Sequence, residues 1–363
     1  MNALTVPSGL TERLEALFPG AEITAIEALK PDTGTGEVEK GHGYGRPLRL
    51  RLRQSDGTVR SVVFHVEGAD EHGHDRRADR AGNVLLAWDS FRKVPHHVRA
   101  LEVGGLGRAG KLVPLSDVGE LYLITEWAEG HVYADDLRRI GRSGEVTALD
   151  IARVDALAQV LLELHSGQGT HPAAYVRALR DLCGSGEGIA GIVDSYGQGA
   201  PGASFERICF IEQQCLSWRQ RLKHDTARLR RTHGDFHPFN LVFAEGAVLP
   251  TLLDTSRGSQ GDPADDVTCL AINFLFFGLE HREGWARGLG QLWHRFWKTY
   301  SKGGDEGLLD VAAPFFAWRA LVLCNPAWYP HVREEDRDRL LRLAEKGLGE
   351  PRFEVEWGDE VMR

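Results

Sequence analysis

Arg231-Thr232-His233-Gly234-Asp235-Phe236-His237-Pro238-Phe239-Asn240 is the stretch on which the reading of the chain turns. It presents one carboxylate, Asp235, and an amide, Asn240, five positions on. A second carboxylate, Asp254, follows the apolar run 249–253, which reads as a strand. A base for an attacking hydroxyl, with amide and carboxylate oxygens for Mg²⁺, is the set of groups that phosphoryl transfer from a nucleotide requires. Mg²⁺ is a hard ion that takes oxygen ligands and few protein groups, so one Asn and one Asp suffice.

The spacing His233-x-Asp235-x-x-x-x-Asn240 also matches the kinase catalytic loop H-x-D-x-x-x-x-N. In full, His-Gly-Asp-Phe-His-Pro-Phe-Asn resembles the signature of the aminoglycoside phosphotransferase and choline kinase superfamily. That family has a catalytic loop H-G-D-x-H-x-x-N, a later metal-binding acid, and then a G-D-P-x-x-D segment that opens a helix. Here Asp254 and Gly261-Asp262-Pro263-Ala264-Asp265-Asp266 stand in those places. Motif matches gain force from context, and these three occur in the family's order. The resemblance implies an α+β, two-lobed protein-kinase-like fold, with a small antiparallel-sheet lobe and a larger helical lobe. It also implies Asp235 as catalytic base, Asn240 and Asp254 as Mg²⁺ ligands, and ATP as co-substrate.

Composition bounds the alternatives. The chain's 363 residues are enough for two lobes with a sizeable core. A net charge of −9 argues against a nucleic-acid partner, since such proteins are normally basic. The five cysteines form no C-x-x-C pair, a pattern expected of reduced thiols in a cytoplasmic protein. Residues 1–19 lack the apolar centre of a signal peptide. The apolar runs 267–279 and 311–324 carry Asn273 and Arg319. They are too short to span a bilayer and read as buried helices.

Taken in order, residues 10–18 read as an amphipathic helix and 21–29 as a strand. A glycine loop with Gly41, Gly43 and Gly45 follows. Glycines there would let backbone N–H groups approach phosphates, although these residues alone favour a flexible hairpin loop. Leu48, Leu50 and Leu52 alternate with Arg49, Arg51 and Arg53 in a half-buried strand. Ser55-Asp56-Gly57 then turns the chain into a third strand, 59–66. An apolar stripe over 75–92 predicts a helix.

The run 121–130 resembles the family's hinge, so Glu126, Trp127 and Ala128 are expected to hold adenine. A core position for Trp127 is the competing reading. The domain boundaries follow: small lobe 1–125, hinge 126–130, helical lobe 131–363. Helices are expected at 134–140, 151–165, 206–230, 263–279, 285–300, 307–324 and 334–348. The Gly- and Ser-rich stretch 182–204 is either a lid or an ordered insertion. His165 reads as a structural partner of the catalytic loop, and Asp262 and Asp266 as structural acids at the start of a helix.

The pattern breaks in two places. The family carries a phosphate-binding lysine in the third strand, where this chain has His65, and no lysine lies between Lys40 and Lys93. A histidine is mostly neutral at pH 7, so His65, Arg76, Arg77, Arg80 or Lys40 must supply the charge. Asp254 is followed by Thr255-Ser256-Arg257 where many relatives have an aromatic. Arg257 is expected either near a substrate or the phosphates, or paired with Asp262 or Asp265. The expectation is a cytoplasmic kinase that phosphorylates a hydroxyl of a small molecule, with neither nucleic acid nor membrane as partner. The alternative is a nucleotide-binding pseudokinase or a nucleotidyl-transferring enzyme.

Overall fold

The computed structural model describes residues 7–29, 47–69, 74–91, 93, 98–120, 125–169, 171–255, 259–303 and 305–363. The chain divides into two compact units, Met1–Thr125 and Glu126–Arg363. Both helix-rich and sheet elements occur, which makes the protein α+β.

In the first unit the leucine alternation does what a two-residue period requires. Strands β1 (Glu22–Ala28), β2 (Leu48–Arg53) and β3 (Val59–Phe64) form an antiparallel sheet in the order β1-β2-β3. Leu48, Leu50 and Leu52 point into a small core with Leu10 and Leu14 of helix α1 (Leu10–Leu17). Leu50 and Leu52 are fully buried, and each side chain contributes about 1.5–3 kcal/mol on that account. The arginines take the other face, where Arg51 pairs with Glu27 at 3.2 Å. Helix α2 (Arg77–Phe91) and the short hairpin β4 (Gly104–Leu106) and β5 (Leu112–Pro114) complete the unit. The stripe expected to bury α2 is only half-covered: Val84, Leu85, Trp88 and Phe91 are intermediate and no residue of the helix is fully buried.

The second unit starts with β6 (His131–Val132), α3 (Tyr133–Ser143), α4 (Ala148–Ser166) and α5 (Pro172–Gly184). The 182–204 stretch is an ordered insertion: α6 (Ile189–Asp194) and a hairpin of β7 (Gly199–Ala200) and β8 (Ala203–Ser204). Its turn residues satisfied no helical or strand period, so only packing reveals these elements. Then come α7 (Phe205–Leu222), β9 (Arg230–Arg231), β10 (Leu241–Phe243), β11 (Thr251–Leu252) and β12 (Gln260–Gly261). The chain ends in α8 (Pro263–Leu279), α9 (Leu289–Ser301), α10 (Leu308–Val311), α11 (Ala313–Cys324), α12 (Glu334–Gly349) and α13 (Trp357–Met362). The single helix expected over 307–324 is broken into α10 and α11 beside Pro314, which sits in the first turn of α11.

Helix α8 is the axis of this unit. Asp262 caps it by accepting from the Ala264 N–H, Pro263 opens it, and almost every later residue is buried. The aromatics Trp293, Phe296, Trp297, Phe315, Phe316 and Trp318 are core residues, as their helical spacing predicts. Among the described residues no helix is long and apolar enough to cross a membrane.

One glycine is dictated by close approach. Gly130 has φ +134°, and a Cβ built on it would lie 2.1 Å from the Phe243 carbonyl oxygen. It lets the chain enter β6, which pairs with β10 through His131↔Phe243. Gly130→Ala should therefore destabilise the protein by about 1–3 kcal/mol. A chemical-denaturation midpoint unchanged from wild type would contradict this.

Candidate active site

The loop 232–240 is held at both ends by short ladders. At its entry β9 pairs with β12 through Gln260↔Arg231, and the Thr232 N–H donates to Ser259 O at 3.1 Å. At its exit a 3-10 turn, Pro238–Asn240, leads into β10. His237 caps that turn by accepting from the Phe239 N–H on Nδ1 at 3.1 Å. Gly234 makes the bend between them with φ +84°, a conformation that a β-carbon disfavours.

The backbone of the loop is fixed from below by α8. The Asp266 carboxylate is wholly buried and accepts from the His233 N–H at 2.7 Å and the Gly234 N–H at 2.8 Å. His165 Nε2 lies 3.1 Å from the same carboxylate, and its Nδ1 lies 2.8 Å from the Tyr300 hydroxyl. His165 thus supports the loop through Asp266. Asp262, besides capping α8, accepts from Arg228 at 2.7 and 2.8 Å and from the Tyr175 hydroxyl at 2.8 Å. Burial, and then the charge of Asp262, push the Tyr175 phenol well above its ordinary range. Asp262 and Asp266 are structural, as expected, but Asp266 acts on the loop and not as a helix cap.

Asp235 sits on this platform, 8% exposed. Its Oδ1 accepts from Arg319 Nη1 at 2.8 Å, and its Oδ2 lies 3.5 Å from both His237 Nε2 and Asn240 Nδ2. Asn240 Nδ2 donates to the Asp235 carbonyl at 3.0 Å, so its Oδ1 is the amide atom left for a cation. The ladder Leu241↔Leu252 continues through Leu253 N–H to Asn240 O, 2.9 Å. Asp254 therefore follows directly on the residue bonded to Asn240. Its φ of +53° makes it the one non-glycine residue in the left-handed region among those described. Asp tolerates that conformation better than most residues, and such outliers concentrate at functional sites.

The Asn240 amide and the Asp254 carboxylate offer only oxygen donors, which suits Mg²⁺. Among the described residues no cluster of three or more His, Cys, Asp or Glu could hold a metal. A cation here would complete its shell with phosphate and water, which is how Mg²⁺ is usually bound.

His65 follows β3 in the first unit and is exposed. Gly41, Gly43 and Gly45, Lys40 and Arg257 lie outside the described residues. Glu126, Trp127 and Ala128 form no regular element, and Trp127 is 82% exposed, so it is no core aromatic. Of the arginines named as replacements for the lysine, Arg76 is paired with Asp79 at 2.6 Å and Arg80 donates to the carbonyls of His74 and Asp75. Asp262 is bonded to Arg228 and Asp265 to Arg319.

Arg319 was missed as a site residue. It did leave a signal, a lone arginine inside the apolar run 311–324. An arginine in a buried helix demands a carboxylate partner, and the run itself holds none.

A profile of the phosphotransferase enzyme family matches residues 80–302, which include the loop, Asp254 and the start of α8. The chain belongs to that family, and is thereby a phosphotransferase. Solved structures to which it is similar include a glucosamine kinase, at 13% identity over 95% of this chain and 98% of that one, TM-score 0.36. A choline kinase from Streptococcus pneumoniae matches at 16% identity over 93% and 97%, TM-score 0.34. An aminoglycoside-3'-phosphotransferase of type VIII matches at 19% over 86% and 96%, TM-score 0.34. No curated protein matches. The assignment rests on the family profile.

Proposed function

We propose that this phosphotransferase moves the γ-phosphoryl group of ATP to a hydroxyl of a small molecule. The observation that carries the reading is the clasp of Asp235 and Asn240 beside Asp254, on a loop whose backbone is bonded to α8. Asp235 Oδ2 accepts the proton of the acceptor hydroxyl as its oxygen attacks the γ-phosphorus. The P–O bond to the β-phosphate breaks and ADP leaves with that electron pair. Asn240 and Asp254 would hold Mg²⁺, which neutralises charge on the phosphates when bound. On the same reading residues 1–125 with His65 and Gly41, Gly43 and Gly45 serve the phosphates. Glu126, Trp127 and Ala128 serve the adenine, and residues 131–363 carry the transfer chemistry. The absent lysine is compensated within this chain, by His65 or by an arginine, whose fork grips phosphate at two points.

Incubation with ATP labelled separately at the α and γ phosphates, across a panel of hydroxylated metabolites and antibiotics, tests the reading. Label from the γ position alone should appear on the acceptor; transfer of α label would replace phosphoryl by nucleotidyl transfer. Asn240→Ala and Asp254→Ala should each raise the Mg²⁺ concentration needed for half-maximal rate by about tenfold or more, because alanine offers no oxygen ligand. An unchanged Mg²⁺ titration in both variants would remove these residues from the metal site.

A further inference from the structure

The reading above leaves a buried arginine unexplained. Arg319 on α11 is almost fully enclosed, yet it binds two carboxylates at once: Asp235 Oδ1 through Nη1 and Asp265 Oδ1 through Nη2, each at 2.8 Å. Nη2 also donates to the Gly234 carbonyl at 3.3 Å. Its guanidinium lies over the Trp318 ring, 3.9 Å from the centroid. Burial works against the charged form, and Cys269, Asp265 and Asp235 more than offset it, so the guanidinium stays above its ordinary range.

We propose that Arg319 is a positioning residue for Asp235, pinning Oδ1 so that Oδ2 alone is presented to the acceptor hydroxyl; this rests on the reading of Asp235 as the base. An Asp side chain has two equivalent oxygens and can rotate between them. A bond from Nη1 to Oδ1, made by a guanidinium whose Nη2 is anchored on Asp265, restrains that rotation before substrate arrives, and pre-set geometry is a large part of what a phosphoryl-transfer site supplies. Asp265 holds the other arm of the fork, so the guanidinium cannot swing away with Asp235. Among the described residues, Cys269 on α8, His237 on the loop and Tyr329 beyond α11 face this triad.

The insertion 182–204 sets where the arginine stands. The Tyr196 hydroxyl donates to Leu321 O at 2.6 Å, and Asn325, just past α11, donates to Ser195 Oγ at 2.8 Å and Ile192 O at 3.3 Å. Arg337 Nε donates to Cys324 O at 2.9 Å. The carbonyls that end α11 would otherwise lack partners. Bonded in this way, they keep the helix from sliding, and with it Arg319.

The test is a double-mutant cycle on turnover, with Arg319→Met, Asp235→Asn and the pair. Arg319→Met should lower kcat by about 10- to 100-fold, while acceptor KM and nucleotide Kd stay within about twofold of wild type. In the Asp235→Asn background the same substitution should change the residual rate by no more than about twofold. Wild-type kcat in Arg319→Met, or an equal loss in both backgrounds, overturns the proposal. If Arg319→Met does not fold, Asp265→Ala leaves the Arg319 charge in place and frees one arm of its fork. It should show a smaller kcat loss that likewise vanishes in the Asp235→Asn background, and an undiminished loss there overturns the proposal. Full turnover in Asp235→Asn would instead overturn the assignment of the base, which separates that failure from this one.

Discussion

Asp235→Asn should lower turnover by about 10²–10⁴-fold, the usual effect of losing a general base. The fold should survive. Asn places an oxygen where Oδ1 now meets Arg319 Nη1, and the guanidinium keeps Asp265 as its counter-charge. Mg·ATP binding should also survive, because Asn240 is tied to the Asp235 main-chain carbonyl and not chiefly to its side chain. Steady-state kinetics with the best acceptor, calorimetric nucleotide binding and a thermal melt on one preparation make the check. Wild-type turnover would show that the loop has been misread.

Asp266→Ala should show the reverse profile, a loss of stability first and of activity as a consequence. The carboxylate is wholly buried and is bonded to two backbone N–H groups and to His165. Alanine leaves those donors without a partner and without water. Each buried unsatisfied group costs about 1–3 kcal/mol, so a total of roughly 3–5 kcal/mol is expected. Denaturant unfolding gives the number directly. A loss below about 1 kcal/mol, the scale of a single ordinary hydrogen bond, would mean that the loop is held by its ladders alone. Asp262→Ala is the useful companion, since Asp262 serves the helix cap, Arg228 and Tyr175 and does not touch the loop.

Local signals carried a good deal of this. The loop 231–240 was legible because its chemistry sits within ten residues, and because β10 and β11 follow at hairpin distance. Helix α8 was legible to the residue because Asp262, Pro263 and an unbroken apolar run specify its start and its burial together. The β2 strand was legible because leucine and arginine alternate at the period of a strand. Residues 186–204 were hard to read because α6 and the β7–β8 hairpin draw their stability from contacts with α7 and α11, not from a local period.

By itself, then, the sequence determined the class of chemistry, the identity of Asp235, Asn240 and Asp254 as the groups to watch, and the elements whose period or cap is local. The tertiary structure alone decided which groups hold those three in place. Asp266 reaches the loop across 33 positions and Arg319 reaches Asp235 across 84. Neither separation has a period, a cap or a spacing that could announce it. A buried charge must find an opposite one, but which one it finds depends on how α8 and α11 pack, and that is settled only when the core closes.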